Sequence, residues 1–477
     1  MVKIVQDFIF NFKKNQPLAT QIVQAIEQLG GQAVVVGGAI RDLLLNRNKN
    51  IKDWLVQDLD IEVYGVTAQQ LEQILRQFGP VRLVGKSFGV YLVDGLNIDW
   101  SLPRTDLSGR KPMVMIDPEL NFQEAFRRRD LTINAMGINL KTGELIDPFG
   151  GQVDLKAGVL RYVDRKLFAE DPLRFYRVMQ FIGRFEFWPD ADLDELCSQM
   201  SLLQVSKERI ESEFEKLFLN SKSPSLALVW LQKIGRLKEI LPEVHATIGT
   251  LQSSDWHPEG DVFEHTKQAL DLSARQFYNS DQDKLLIMWS ALCHDLGKVT
   301  HTKLVDGQYK SHGHAAGGVP LARKLLNRIT SNKNLIDGAC RLVAQHMEPL
   351  VFMKGHASLA AYKRLAVRLA PQTISQLVKL TLVDRQGRVV GGQLPNQIDF
   401  GVDLQLSDFI EQAKLAGVYD GPERSVLFGR DFLDLDLAGP ELGRLVKQAY
   451  QIQIETGITD PQQLKQLVVA HKPFKNK

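Results

Sequence analysis

Hydrophobic and polar positions follow two different rhythms along this chain. Between Gln32 and about Asp164, short β-rich runs (AVVVGG, DIEVYGV, VRLVGKSFGVYLVDG, LNIDWSL) are interleaved with helical stretches such as Ala68 to Phe78. That pattern predicts a small α/β or α+β sheet domain. From Phe168 onward apolar residues return at helical spacing, as in DPLRFYRVMQFIGRF and RIESEFEKLFL, with turn-forming residues (NSKSPS) after Leu219. The remainder is therefore expected to be mostly helical. No repeat period, sustained heptad or low-complexity tract interrupts it. Shifts near 165, 250 and 390, the last at QGRVVGGQLPN, divide the chain into a helical extension (1–30), a sheet-bearing head (31–165), a helical neck (166–250), a histidine-rich domain (251–390) and a helical tail (391–477).

Composition narrows the class. At roughly 150 residues per domain, 477 residues suggest several domains rather than one core. With 44% apolar and 24% charged residues, collagen-like and disordered chains are excluded. The near-apolar run Leu285 to Cys293 falls far short of the ~20 residues needed to span a bilayer. The start, MVKIVQDFIFNFKKNQ, is broken by Gln6, Asp7, Asn11, Lys13 and Lys14 and lacks the apolar core of a secretory signal, so a cytoplasmic protein without a membrane partner is expected. Cys197, Cys293 and Cys340 are distant from one another and read as buried thiols. The net charge of +2 excludes neither nucleic acid nor a small substrate, so local chemistry must decide.

In the head, Gly37-Gly38-Ala39-Ile40-Arg41-Asp42 follows an apolar strand-like run and precedes a helical one. A glycine pair at a strand-to-helix turn lets backbone N–H groups approach an anion, and Arg41 lies within reach of a phosphate. A plain structural turn with a solvated arginine fits the same residues. Asp58-Leu59-Asp60 then opens a strand, and residues two apart share a face. Two converging carboxylates repel unless a cation joins them, and hard oxygens suit Mg²⁺. An exposed strand bearing two acids is the alternative. Asp99, between apolar neighbours in LNIDW, is the third candidate.

These motifs, together with Arg127-Arg128-Arg129-Asp130-Leu-Thr-Ile-Asn134-Ala-Met, Asp147-Pro-Phe-Gly-Gly and Glu170-Asp171-Pro172-Leu173-Arg174, resemble in order the class II tRNA nucleotidyltransferases, the CCA-adding enzymes and their bacterial poly(A) polymerase relatives. The resemblance implies an α+β fold: a polymerase-β-like head with a small mixed sheet, then a mostly helical neck, HD domain and tail. It implies catalytic Asp58, Asp60 and Asp99, with Asp58 and Asp60 holding Mg²⁺. Gly37, Gly38, Arg41, Arg129 and Arg177 are expected to cradle phosphates, with Asp130 in the same motif and Asn134 at the ribose. Asp171 and Arg174, placed on one face of a helix starting near Asp171, are expected to select the base. Two positions depart from the family pattern: Gln180 stands where relatives have a further arginine, and an RTE-like segment reads Arg104-Thr105-Asp106. The stretch Arg104 to Glu124 is loop-like and matches by position the family's flexible loop.

Histidine is confined to the second half: eight of ten lie between His257 and His356. His265, the pair His294-Asp295 and Asp384 supply mixed nitrogen and oxygen ligands for a divalent transition metal. Their order resembles the HD phosphohydrolase domain, with His312 or His314 and His346 as candidate phosphate contacts or ligands of a second metal. The resemblance leaves Ni, Mn, Co and Zn open. Arg444, Lys447 and the basic stretch His471 to Lys477 form a candidate phosphate-contacting tail.

The implied activity is addition or repair of the 3′-terminal CCA of tRNA from CTP and ATP, with HD phosphohydrolase activity besides. No obligate protein partner is evident. An A-adding or CC-adding enzyme and a poly(A) polymerase stand as alternatives, as does an HD phosphohydrolase whose head only binds nucleotide.

Overall fold

The computed structural model describes residues 2–45, 59–84, 89–107, 113–395, 404–435, 437 and 439–470. The chain divides into two compact units, Met1–Val205 and Ser206–Lys477.

The first unit opens with two helices, Val2–Asn15 and Pro17–Gln28, and continues into a seven-stranded sheet. Its strands are β1 (Gln32–Val36), β2 (Leu59–Tyr64), β3 (Val81–Val84), β4 (Val90–Val93) and β5 (Ile98–Ser101). After a separate antiparallel ribbon of β6 (Arg104–Leu107) and β7 (Met113–Ile116), β8 (Gly137–Asn139) and β9 (Leu145–Ile146) complete it. The order is β3-β4-β5-β2-β1-β8-β9, with β2 and β5 parallel and the other neighbours antiparallel, so the sheet is mixed as expected. The run AVVV becomes the buried β1 because both its faces are covered, and Val34 and Val36 pack with Tyr64, Phe126 and Ile146.

The expected loop Arg104 to Glu124 is corrected: it contains the β6–β7 ribbon and the start of a helix, Phe122–Arg127. Strands this short are stabilised by the cross-strand partner rather than by local composition. Helices Arg165–Glu170, Leu173–Phe185 and Ala191–Gln199 finish the unit.

Among the described residues, the second unit is helical apart from a small hairpin of Lys303–Val305 and Gln308–Lys310. Leu285 to Cys293 is a core segment buried all round in helix Asp281–Cys293, which explains why its apolar residues do not keep to one stripe. Around it pack helices Val262–Ala274, Lys333–Gln345 and Ile374–Gln386. A satellite cluster of Leu427, Phe432, Leu445, Ala449, Leu464 and Val468 holds the tail helices Gly439–Thr456 and Pro461–Ala470. All three cysteines are buried and free. Among the described residues, no helix is long and apolar enough to cross a membrane.

Candidate active sites

In the first unit the sheet register assembles a carboxylate pair. β2 and β5 run parallel with Asp60 opposite Asp99, while Val36, the last residue of β1, pairs with Asp60 from the other side. Both acids line a cavity of about 180 Å³ shared with Glu62, Ser101, Arg128 and Arg129. Asp60 is accessible from the cavity although protein surrounds it closely. Withdrawal from solvent pushes its carboxyl up, Asp99 and Glu62 push it further, and Arg129 and Arg128 oppose them only partly. A cation placed there would favour its charged form. Asp58 lies outside the described residues.

The glycine turn sits against this pair. Gly37 has φ +81°, a conformation open to glycine, and a Cβ there would lie 2.9 Å from Arg129 Nη1 and 3.7 Å from Asp60 Oδ2. Backbone thus comes close to the cation and the acid that flank it. Gly38 begins helix Gly38–Leu44, with Gly37 as its N-cap.

Arg41 does not project into the cavity. It is buried, donating from Nε and Nη2 to the Asp42 carboxylate at 2.9 Å each and from Nη1 to Asn134 Oδ1 at 2.5 Å, with Phe185 beneath its guanidinium. Asn134 Nδ2 donates to Asp130 Oδ1 at 2.9 Å, and Arg177 Nε donates to Asp130 Oδ2 at 2.6 Å. Arg184 closes the far end by donating to Asp42 Oδ2 at 3.1 Å. Four expected site residues therefore form one network that braces the glycine turn from behind, with Arg41, Asp130 and Asn134 buried and Arg177 partly exposed.

Asp130 ties this network to acid stability. Burial pushes its carboxyl up, but Arg177, the Asn134 amide, Arg174 and the Leu131 N–H together hold it down at about 2, against an ordinary 3.8. A depressed carboxyl stabilises the fold above its unfolded value and loses that contribution as pH falls from about 4 towards 2; the shift corresponds to about 2 kcal/mol. Asp130→Asn is expected to lower stability by that order at pH 7 and by about half as much at pH 3. Denaturant melts at the two pH values check this, and an equal deficit at both would refute it.

The expected base readers stand differently from their sequence placement. Asp171 precedes helix Leu173–Phe185 instead of lying on its face, and its Oδ1 accepts from the Leu173 N–H at 3.2 Å. Pro172 is the N-cap that starts the helix after Asp171. Arg174, in the first turn, donates from Nη2 to the Arg128 carbonyl at 2.5 Å. Gln180 is buried, with its Nε2 lacking a hydrogen-bond partner among the described residues.

In the second unit four helices bring the histidines together. His265 comes from Val262–Ala274, His294 and Asp295 follow Asp281–Cys293, His314 starts His314–Ile329, and His346 follows Lys333–Gln345. Asp384 comes from Ile374–Gln386. Gly297 permits the closest approach: a Cβ there would fall 2.0 Å from the His314 carbonyl oxygen. His312, by contrast, is exposed.

The ring protonation follows from the partners. Nδ1 of His294, His314 and His346 lies 2.8, 2.7 and 2.7 Å from the carbonyls of Ala291, Ser311 and Val343. A carbonyl only accepts, so each Nδ1 carries a proton, and in the neutral ring Nε2 is then the lone pair open to a metal. Those lone pairs converge: His314 and His346 Nε2 are 3.1 Å apart, and His294 Nε2 is 3.2 Å from His265 Nε2. Asp295 stands between the two groups, Oδ2 at 3.3 Å from His294 Nε2 and 2.7 Å from Lys298 Nζ, and Oδ1 at 3.2 Å from His314 Nε2. Acceptors facing acceptors in a buried site fit a bound cation. His265, His294 and Asp384 form one triad of potential ligands and Asp295, His314 and His346 a second.

Sequence reasoning overlooked what supports these groups. Glu259 Oε1 receives His265 Nδ1 at 2.7 Å and fixes its ring, a role signalled only by the acid in His-Pro-Glu-Gly. Lys298 Nζ lies 2.7 Å from Asp295 Oδ2, and Arg388 Nη2 is 2.7 Å from Asp384 Oδ1. Burial pushes Asp295 up, but Lys298 and His294 hold it well below the usual carboxylate range. Burial and the neighbouring His314 and His294 lower His346 to about 3, leaving it a neutral ligand at physiological pH.

Residues 33–161 match the poly A polymerase head domain and residues 262–380 the HD domain. The multifunctional CCA protein of Mannheimia succiniciproducens is 32% identical over 371 residues, covering 75% of this chain and 84% of the relative. That of Halorhodospira halophila is 32% identical over 430 residues, covering 87% and 94%. Among solved structures, the Thermotoga maritima CCA-adding enzyme complexed with tRNA aligns over 98% of each chain with a TM-score of 0.57 and 19% identity. The Bacillus stearothermophilus CCA-adding enzyme in complex with CTP aligns over 95% and 97% with a TM-score of 0.61 and 20% identity. These two share the fold.

Proposed function

From the premise that this chain belongs to the multifunctional CCA protein family, we propose that it is a template-independent tRNA nucleotidyltransferase adding or repairing the 3′-terminal CCA from CTP and ATP. The observation that carries this reading is Asp60 and Asp99 abreast on parallel strands, beside a glycine turn and Arg129. Asp60 and Asp99 would hold Mg²⁺, with Asp58 as the further expected carboxylate. A cation held by these residues would supply activation of the attacking 3′-hydroxyl and compensation of triphosphate charge.

The chain's own residues do the rest. The Gly37-Gly38 turn and Arg129 receive phosphates, and Arg41, Asn134, Asp130 and Arg177 keep that turn in place. Asp171 and Arg174 supply acceptor and donor groups suited to the edges of C and A. An enzyme using tRNA, CTP and ATP works where those substrates are, so we assign it to the cytoplasm.

For the histidine cluster we propose a divalent transition metal, Ni, Mn, Co or Zn, and hydrolysis of phosphate or cyclic-phosphate ends. Its support is the set of Nε2 atoms converging around Asp295.

The test uses purified protein, Mg²⁺ and tRNA transcripts ending before CCA, after C and after CC, with CTP, ATP or both. Completion of all three to CCA and no further growth is expected. Extension of the CC-ended transcript alone would make it an A-adding enzyme, arrest at CC a CC-adding one, and long A tails a poly(A) polymerase. No extension would leave the HD site as the only candidate activity.

A further inference from the structure

We infer that Glu62 is a positioning residue that keeps Arg128 off the carboxylates Asp60 and Asp99, so that the cleft stays open to a cation before nucleotide arrives. The inference rests on the nucleotidyltransferase reading of the head.

Glu62 follows Asp60 by two residues on β2 and shares its face, yet it is fully buried where Asp60 is accessible. A fully buried glutamate is rare unless paired. Here Oε1 takes Arg128 Nη2 at 2.7 Å and lies 3.9 Å from Arg129 Nη2, while Oε2 accepts from the Tyr64 hydroxyl at 2.7 Å. Burial and the Glu62 carboxylate keep the Tyr64 phenol protonated, so it remains a donor. Glu62 is thereby fixed from one side by Tyr64 and itself fixes Arg128 on the other.

The need for such a restraint comes from the cavity. Asp60, Asp99, Arg128 and Arg129 line the same small space. An arginine fork matches a carboxylate bidentately, so a loose Arg128 would settle on the metal-binding acids and compete with the cation. Glu62 offers Arg128 a carboxylate that no metal uses. The guanidinium stays beside the cleft and off the Asp60 carboxylate that a cation would meet.

Glu62→Gln keeps shape and removes the charge. The Mg²⁺ concentration for half-maximal CMP incorporation should rise about fivefold, the effect of a modest ion pair turned competitor, while kcat at saturating Mg²⁺ and KM for CTP change less than about twofold. Adding Arg128→Gln to Glu62→Gln should return the Mg²⁺ dependence towards the parent's, because the competitor is gone. Mn²⁺ binding to nucleotide-free protein, read by electron paramagnetic resonance with the Asp60→Ala variant subtracted so that only the head site counts, should weaken and recover in the same order. If Glu62→Gln does not fold, Tyr64→Phe, which loosens Glu62 without removing it, carries the same expectation at smaller size. Parental Mg²⁺ and Mn²⁺ behaviour in the variant, or no recovery in the double variant, overturns the inference. An inactive parent would instead overturn the nucleotidyltransferase reading, and the Mn²⁺ measurement would still judge Glu62.

Discussion

Asp60→Ala is expected to reduce nucleotide incorporation by at least about 10³-fold while leaving the protein folded. Losing a metal-binding carboxylate removes several kcal/mol of transition-state stabilisation, and about 4 kcal/mol already corresponds to that factor. The fold should tolerate the change because Asp60 is the accessible residue of an otherwise buried strand and is repelled by Asp99 and Glu62. Removing it relieves that repulsion, so the melting temperature should hold or rise slightly. Single-turnover CMP incorporation into a tRNA lacking CCA, with a thermal melt beside it, measures both. Incorporation within tenfold of the parent would remove Asp60 from the catalytic centre.

The complementary result is expected at Asp295. Asp295→Asn should bring release of phosphate from 2′,3′-cyclic and monoester ends down to background and leave CCA addition unchanged. Each Asp295 oxygen faces a different histidine group, so one substitution disables both candidate cation sites. Lys298 would lose its ion-pair partner, making a lowered melting temperature part of the expectation. A chelator should reproduce the loss of hydrolysis in the parent, and excess of one transition metal should restore it. Hydrolysis that vanishes in Asp60→Ala and survives Asp295→Asn would move the activity out of the histidine cluster.

Part of each candidate site was legible in the sequence where its signal is local: a glycine pair before a helix, Asp60 at the start of a strand, an adjacent His-Asp. What was not legible depends on partners distant along the chain. Asp99 reads as one acid among apolar neighbours, and only the parallel register of β2 and β5 sets it opposite Asp60. Arg41 reads as a phosphate ligand by spacing, but a carboxylate at Asp42 and an amide at Asn134 turn it inward. The β6–β7 ribbon reads as loop because neither strand alone carries enough pattern to be recognised. Asp171 reads as helical because i, i+3 spacing does not reveal where the first turn begins. In the second unit, Glu259 was visible as a residue but not as the anchor of His265, since a supporting hydrogen bond leaves no periodic trace.

The brace behind the glycine turn has a mechanical consequence. Helix Leu173–Phe185 is bolted at two places, through Arg177 to Asp130 and through Arg184 to Asp42, and both bolts lead to Arg41 in the helix that follows the glycines. A swivel of this helix would drag the glycine turn with it. An enzyme that must accept first C and then A from one seat therefore gains nothing by rotating that helix. The β6–β7 ribbon pairs with itself and not with the seven-stranded sheet, so a displacement of it breaks no strand pairing of that sheet.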